Sequence, residues 1–437
     1  MPDKQTNRPQ LTTDSRLMPG LIRINRAYTE VLADAGTLTE SEKTAVLDAM
    51  QQIEKDSELM PDALDKRLSE LAKTGADKLI ITRSRNEQLA AALRLWVIEQ
   101  VDKLTNLLAG LQRAVIEQAE GHVATLMPGY LNARPVQAVS CAHWLLSYFW
   151  MLARDQERLS SVIGRASSSP LGSGLLAGIG SRIDRHDLAH RLDFGGQSEN
   201  SIDSVSDLDF GAEFLFAATL ISAHLNRLAD DLLLFNHPAL GFVTLDPEHT
   251  GGSPISRLDP SSETVEQING RSGQLLGKMT GFLAAFRTLP STFTAETPDS
   301  RAAIFDASDL LTLMIETLEG AVGTLTIHPD RMWDALNENV LASDLVEYLV
   351  SRGETYDKAS TAIEKLLGKA ETTGKPIAET ELATLQKESN FFDADVFGYL
   401  DHSRSAAQRA TIGGTAPAAI RTQIRQAMNW LVEAGLE

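Results

Sequence analysis

The sequence holds a single cysteine, Cys141, among 437 residues, which excludes a disulfide framework and any cysteine-rich metal site. Basic residues are scarce as well: 40 Lys and Arg stand against 59 Asp and Glu, a net charge of −19. So acidic a chain repels nucleic acid and anionic membrane at long range, and neither is expected as a partner. Long apolar runs are missing. The best stretch, Phe210 to Ile221, is broken by Glu213 and falls short of the roughly 18 residues a membrane helix needs. The first twenty residues lack the apolar segment of a secretory signal, so a cytoplasmic protein is expected. His186 and His190 stand four apart, but the residues between them lack the glutamate of a zinc-protease helix. No glycine-rich nucleotide loop and no serine-hydrolase elbow is present. Neither a metal nor a cofactor is expected.

What the chain does have is helical period. Leu89, Leu93, Val97, Val101, Leu104, Leu108, Leu111 and Val115 recur every three or four positions between Gln88 and Leu126. Leu208–Phe235 and Thr264–Phe286 read the same way, with little proline or strand-like alternation. Such segments make helices of roughly 40–55 Å, which bury their apolar stripes only against one another, so a bundle follows. Met127-Pro128-Gly129-Tyr130, Ser169-Pro170-Leu171-Gly172-Ser173-Gly174 and Leu289-Pro290-Ser291 read as turns between helices. Gly36-Thr37-Leu38-Thr39 followed by Glu40 and Glu42 reads as a capped helix start. The fold class is mainly α. Three helical domains are expected: residues 1–82, a central long-helix bundle over 83–329, and 330–437. Residues 241–262 form the longest loop inside the helical region, where a glycine-bearing segment is usually functional.

Three constellations carry chemistry. Arg83-Ser84-Arg85-Asn86-Glu87-Gln88 opens a long helix, and arginine forks beside helix-start N–H groups suit a carboxylate or phosphate. The competing reading is a plain charged helix start. The stretch from Glu199 to Asp207 either caps a helix through Ser206 or Asp207 or lines a polar site with Asn200 and Ser201. Gly251-Gly252-Ser253 puts a serine on a flexible backbone, which by itself is equally a surface turn. His143, beside Trp144 in an apolar run, reads as a core histidine.

Taken in order, Arg83–Gln88 with Leu93-Arg94-Leu95-Trp96, Met127–Tyr130, His143–Leu146, Pro170–Gly174, Asn200–Asp207 and Gly413-Gly414-Thr415-Ala416-Pro417 resemble argininosuccinate lyase, of the aspartase/fumarase superfamily. The resemblance covers nearly the whole chain. It implies a homotetramer with a twenty-helix core, active sites built from three subunits, and release of fumarate by β-elimination across a C–N bond. It also implies that Arg83, Ser84, Arg85, Asn86, Asn200 and Ser201 hold the substrate, a small molecule carrying a dicarboxylate. Ser253 stands at the family's base.

The departures lie in the proton-transfer machinery. After Met-Pro-Gly-Tyr the family has Thr-His-Leu-Gln, so its histidine becomes Asn132, which cannot titrate. An ungapped alignment puts the signature-loop lysine at Asp259, an inverted charge, and its asparagine at Ser261. Glu266, which in the family orients the missing histidine, is kept. The tail-binding Tyr-Asn-Lys segment becomes Phe293-Thr294-Ala295, although Arg301 retains a positive charge. Tyr28 stands where the family has a histidine, and Glu58-Leu59-Met60-Pro61 replaces Glu-Asp-x-His. Two readings follow. In one, the chain is an altered C–N lyase acting on a fumarate- or aspartate-derived substrate other than argininosuccinate. There, His249 supplies the acid and Arg257 the lost loop charge. In the other, it is an inactive homologue serving as a structural or ligand-binding subunit, paired with an active paralogue.

Overall fold

A computed structural model of the chain describes residues 15–246, 263–287 and 298–436. Ser253, His249, Arg257 and Asp259 lie outside the described residues. Four short helices come first: α1 (Met18–Asp34), α2 (Glu40–Glu54), α3 (Leu64–Ala72) and α4 (Thr74–Ile81). The long α5 (Arg85–Gly121) leads into a hairpin of β1 (Leu126–Leu131) and β2 (Arg134–Ser140). There follow α6 (Cys141–Ala166), the short α7 (Arg185–His190) and α8 (Ser201–Ser206), then α9 (Asp209–Asn236), α10 (Glu263–Phe286) and α11 (Pro298–Gly323). Six further helices close the chain: α12 (Pro329–Asp334), α13 (Ala342–Ser351), α14 (Tyr356–Thr373), α15 (Leu382–Leu385), α16 (His402–Gln408) and α17 (Pro417–Glu433).

The helical periods of the sequence emerge within a few residues of their expected bounds. At 1.5 Å per residue, α5 is about 55 Å long. Its apolar stripe, from Leu89 through Leu93, Val97, Val101, Leu104, Leu108, Leu111 and Val115, is buried throughout. The start of α2 is a complete capping box: Thr39 Oγ1 accepts the Glu42 N–H, and the Glu42 carboxylate accepts the Thr39 N–H at 2.9 Å.

One expectation is corrected. Met127–Tyr130 is no turn between helices but the body of β1, paired antiparallel with β2, Met127 opposite Val139 and Pro128 opposite Ala138. A two-stranded ribbon has an open edge on each strand, which is where proline is tolerated. The tip is Asn132-Ala133, both left-handed at φ +48° and +62°.

The chain divides into two compact units. The first comprises Met1–Asn106, Asp155–Ala223 and Arg271–Leu313. Inside it Trp96 of α5 meets Phe305 of α11 edge-on with centroids 4.5 Å apart, and the Arg94 guanidinium lies 4.2 Å from the centre of the Phe210 ring on α9. The second comprises Leu107–Arg154, His224–Gly270 and Met314–Glu437. There Trp144 Nε1 and the Tyr148 hydroxyl both donate to Asp231 Oδ2, at 2.8 and 2.5 Å. A separate apolar cluster joins α13 and α14 through Leu345, Leu349, Ile363 and Leu366.

The helix α10 differs from the others in how little it buries. Val265, Ile268, Leu275 and Phe282 are buried, Ser272, Met279 and Phe286 are half-buried, and Leu276 and Leu283 face outward.

Candidate active site

The start of α5 is a second capping box, from Ser84 to Glu87. Ser84 N–H donates to Glu87 Oε1 at 3.0 Å, and Glu87 N–H donates to Ser84 Oγ at 3.1 Å. Ser84 Oγ donates in turn to the Gly174 carbonyl at 2.6 Å. Both donors of Ser84 are thus engaged within the chain. Gln88 Nε2 closes the turn onto the Ser84 carbonyl at 3.1 Å, and Asn25 of α1 donates to Gln88 Oε1 at 3.1 Å.

Behind this cap lies a buried polar network that motif reading did not single out. Tyr28 of α1 donates from its hydroxyl to Glu87 Oε1 at 2.9 Å and accepts the Gly172 N–H at 2.8 Å. Gly174 N–H donates to Glu87 Oε2 at 2.6 Å. Both Tyr28 and Glu87 have no solvent exposure. Burial raises the Glu87 carboxyl above its ordinary range, and the Gly174, Ser84 and Tyr28 donors partly offset that. Burial, then the nearby Glu87 charge, pushes the Tyr28 phenol well up, so it remains a neutral donor. The S-x-x-E spacing of Ser84 and Glu87 was a legible signal for the cap; Tyr28 stood out in the sequence only as a departure from the family, with nothing to say that it meets Glu87.

The two arginines have different surroundings. Arg83 is buried and forks onto Asp65, with Nη2 to Oδ1 at 2.8 Å and Nη1 to Oδ2 at 3.5 Å. Arg85 is more exposed; it pairs with Asp62 and donates to the Pro61 carbonyl at 3.3 Å. Asn86, half-buried, is the next residue of the first turn of α5.

The turn before α7 and the start of α8 meet the same place. Ser173 and Ser204 hydroxyls lie 2.7 Å apart, and Ser201 Oγ donates to the Leu176 carbonyl at 2.8 Å. Asn200 caps α8, its Oδ1 accepting the Ile202 and Asp203 N–H groups at 2.9 and 3.3 Å, and Asp207 accepts the N–H of Asp209, which opens α9, at 2.8 Å. From the far side Arg185 donates to the Leu171 carbonyl at 2.8 Å and to Ser198 Oγ at 3.1 Å. Arg83, Ser84, Arg85 and Asn86 therefore share one locality with Asn200 and Ser201, linked through the Gly172–Leu176 backbone.

The other residues singled out lie elsewhere in the chain. Asn132 is exposed at the hairpin tip, and Glu266 is exposed in the first turns of α10; both belong to the second unit. Arg301 belongs to the first unit and is buried in α11. His186 and His190 are exposed, and His143 is half-buried with its titration lowered by burial. Among the described residues no group of three or more His, Cys, Asp or Glu is placed to hold a metal ion, and no helix is long and apolar enough to cross a membrane.

A family model described as Lyase matches residues 4–256. The argininosuccinate lyase of Roseiflexus sp. (strain RS-1) is 37% identical over 431 residues, covering 96% of this chain and 95% of the relative. This chain belongs to the argininosuccinate lyase family. The argininosuccinate lyase of Anaeromyxobacter dehalogenans (strain 2CP-C) is 34% identical over 425 residues, covering 94% of this chain and 91% of the relative. Among solved structures, EDDS lyase in complex with formate superposes with a TM-score of 0.88 at 25% identity, over 97% of this chain and 88% of that one. A class II fumarase from Schistosoma mansoni, at 14% identity and a TM-score of 0.77, covers 89% of this chain and 90% of its own, a likeness of fold alone. The mainly α, multi-domain fold is that of the fumarase superfamily, and the family is one of carbon–nitrogen lyases. Similarity over almost the whole length to named lyases favours an enzyme over an inactive homologue.

Proposed function

We propose that this lyase breaks the C–N bond of an aspartate-derived substrate other than argininosuccinate by β-elimination, or in reverse adds an amine across the C=C bond of fumarate or a derivative of it. The observation that carries the reading is the start of α5, where Ser84 is capped by Glu87 and tied to the Gly174 carbonyl, while Ser201 is tied two residues on to the Leu176 carbonyl. That is a rigid seat for a carboxylate. Arg85 and Asn86 contact the C4 acid, while Arg83 and Ser84, already engaged within the chain, brace the seat. The solved structures of EDDS lyase carry fumarate in one case and formate in another, ligands of the matching chemistry.

In the elimination, Ser253 takes the proton from Cβ, and the C–H electron pair becomes the C=C bond of fumarate. The C–N pair leaves with the nitrogen, and His249 returns a proton to the amine. Arg257 balances the charge that builds on the neighbouring carboxylate in place of the lost lysine. Roles for Glu266, Asn132 and Arg301 rest on the family resemblance alone. Replacement of the family's histidine by Asn132 and of its lysine by Asp259 argues against argininosuccinate as substrate, because loss of the acid alone costs on the order of 10²–10⁴ in rate. The outward Leu276 and Leu283 of α10 and Phe216 of α9 support a homotetramer, since such apolar residues on long helices call for a partner face. The cytoplasm and a three-domain division at residues 82 and 329 complete the proposal.

The test is fumarate absorbance with purified protein. Argininosuccinate should give negligible release, whereas fumarate incubated with a panel of primary amines and amino acids should be consumed by at least one of them. Turnover of argininosuccinate within tenfold of a motif-complete family member would refute the altered specificity.

A further inference from the structure

Glu87 takes no direct part in the chemistry proposed above, yet its carboxylate joins three separate segments. Tyr28 of α1 and the Ser84 N–H both donate to Oε1, and the Gly174 N–H donates to Oε2. The Tyr28 and Gly174 donors would otherwise be buried polar groups without an acceptor, which costs about 1–3 kcal/mol apiece. Gly174 is left-handed at φ +62°, outside any helix or strand ladder that could satisfy its amide. Arg185 grips the same backbone from the opposite side through the Leu171 carbonyl.

We propose that Glu87 is a positioning residue for the carboxylate seat: by clamping Ser84 and the Gly172–Gly174 turn to the start of α5, it sets where Arg85 and Asn86 meet the substrate. The proposal rests on the reading of that seat given above. A glutamine cannot replace it. Its amide turns an NH2 group toward the Gly174 N–H in one orientation, and toward Tyr28 and the Ser84 N–H in the other. An aspartate is one methylene too short to span Tyr28 and Gly174 together.

The experiment compares wild type, Glu87→Gln, Ser84→Ala and the double variant. Fumarate affinity is measured by titration calorimetry, and hydrogen exchange is followed at peptides covering residues 84–88 and 170–178. Glu87→Gln should weaken fumarate binding about tenfold and speed exchange at the Ser84 and Gly174 amides. Ser84→Ala keeps all three donors to Glu87 and loses only the hydroxyl bonds, so it should speed exchange over 170–178 while the amide of residue 84 stays protected; adding Glu87→Gln should expose that amide too. Exchange that speeds evenly over the whole chain, or unchanged affinity and exchange in Glu87→Gln, overturns the proposal. If Glu87→Gln does not fold, Tyr28→Phe removes one donor to Glu87 together with the acceptor of the Gly172 N–H; it should speed exchange at the Ser84 and Gly174 amides and weaken fumarate binding about threefold, and unchanged values there overturn the proposal too. If wild type does not bind fumarate, the substrate reading falls, while exchange at Ser84 and Gly174 still decides whether Glu87 clamps the turn.

Discussion

Tyr28 and Glu87, 59 residues apart in sequence, share a 2.9 Å hydrogen bond that no solvent reaches. Burial and the nearby Glu87 charge hold the Tyr28 phenol well above its ordinary range, so it stays neutral at neutral pH. A histidine there would bring a titrating cation against Glu87; the phenol brings a donor whose state does not change. Of the two groups in this contact, Glu87 is therefore the one whose charge changes with pH below the phenol's range.

That dependence has a sign. Burial raises the folded-state value of Glu87 above its unfolded one, so its contribution to stability is fully present below the unfolded value and is lost as pH rises through the folded value. Thermal unfolding of wild type and Glu87→Gln from pH 3.5 to 8 should show the wild-type advantage greatest at the acid end and shrinking above pH 4.5. An advantage that grows with pH would mean the three donors outweigh burial.

Glu42 behaves in the opposite way. Its bond to Lys78, with the Thr39 cap, holds the carboxyl down at about 2. Its contribution is present above the ordinary carboxylate value and lost as pH falls through about 2. The difference in melting temperature between wild type and Glu42→Gln should hold above pH 4.5 and close toward pH 2. Thr39→Ala, which removes the same cap, should cost about 1 kcal/mol of stability at neutral pH.

The two arginines of the seat should separate in a stability assay. Arg85 and Asp62 are each partly exposed, a pair worth at most about 1 kcal/mol, so Arg85→Ala should barely change the melting temperature while abolishing stabilisation by fumarate or succinate. The Arg83 side chain is buried, and its removal strands Asp65; Arg83→Ala should cost about 3 kcal/mol. Equal effects of the two substitutions on unfolding would contradict the burial difference.

Gly174→Ala should be worse than either for the site. An added Cβ would lie 2.6 Å from the Gly178 carbonyl oxygen, with the backbone held at a positive φ. Loss of fumarate-induced thermal stabilisation, with native-like circular dichroism, is the expected outcome.

Much of this fold was legible because long helices advertise themselves. The stripe begun at Leu89 needed only spacing to be read, and α5, α9 and α10 fall within a few residues of the segments expected. The hairpin was not legible, because Pro128 and Gly129 signal a turn and the pairing that overrides them comes from β2. At the site, the cap of α5 stood in the S-x-x-E spacing. The Asp65 partner of Arg83 lies 18 residues away and the Asp62 partner of Arg85 lies 23 away; tertiary folding alone joins them.

The buried residues of α10 with Ser272, Met279 and Phe286 fall at 265, 268, 272, 275, 279, 282 and 286, and the half-buried Thr264, Arg271 and Lys278 flank one edge, seven residues apart. That is a heptad seam rather than a straight helical face. On an unbent helix such a seam drifts by about 20° every seven residues, so keeping it covered requires α10 to wind left-handed about its neighbours, as a strand of a coiled coil does.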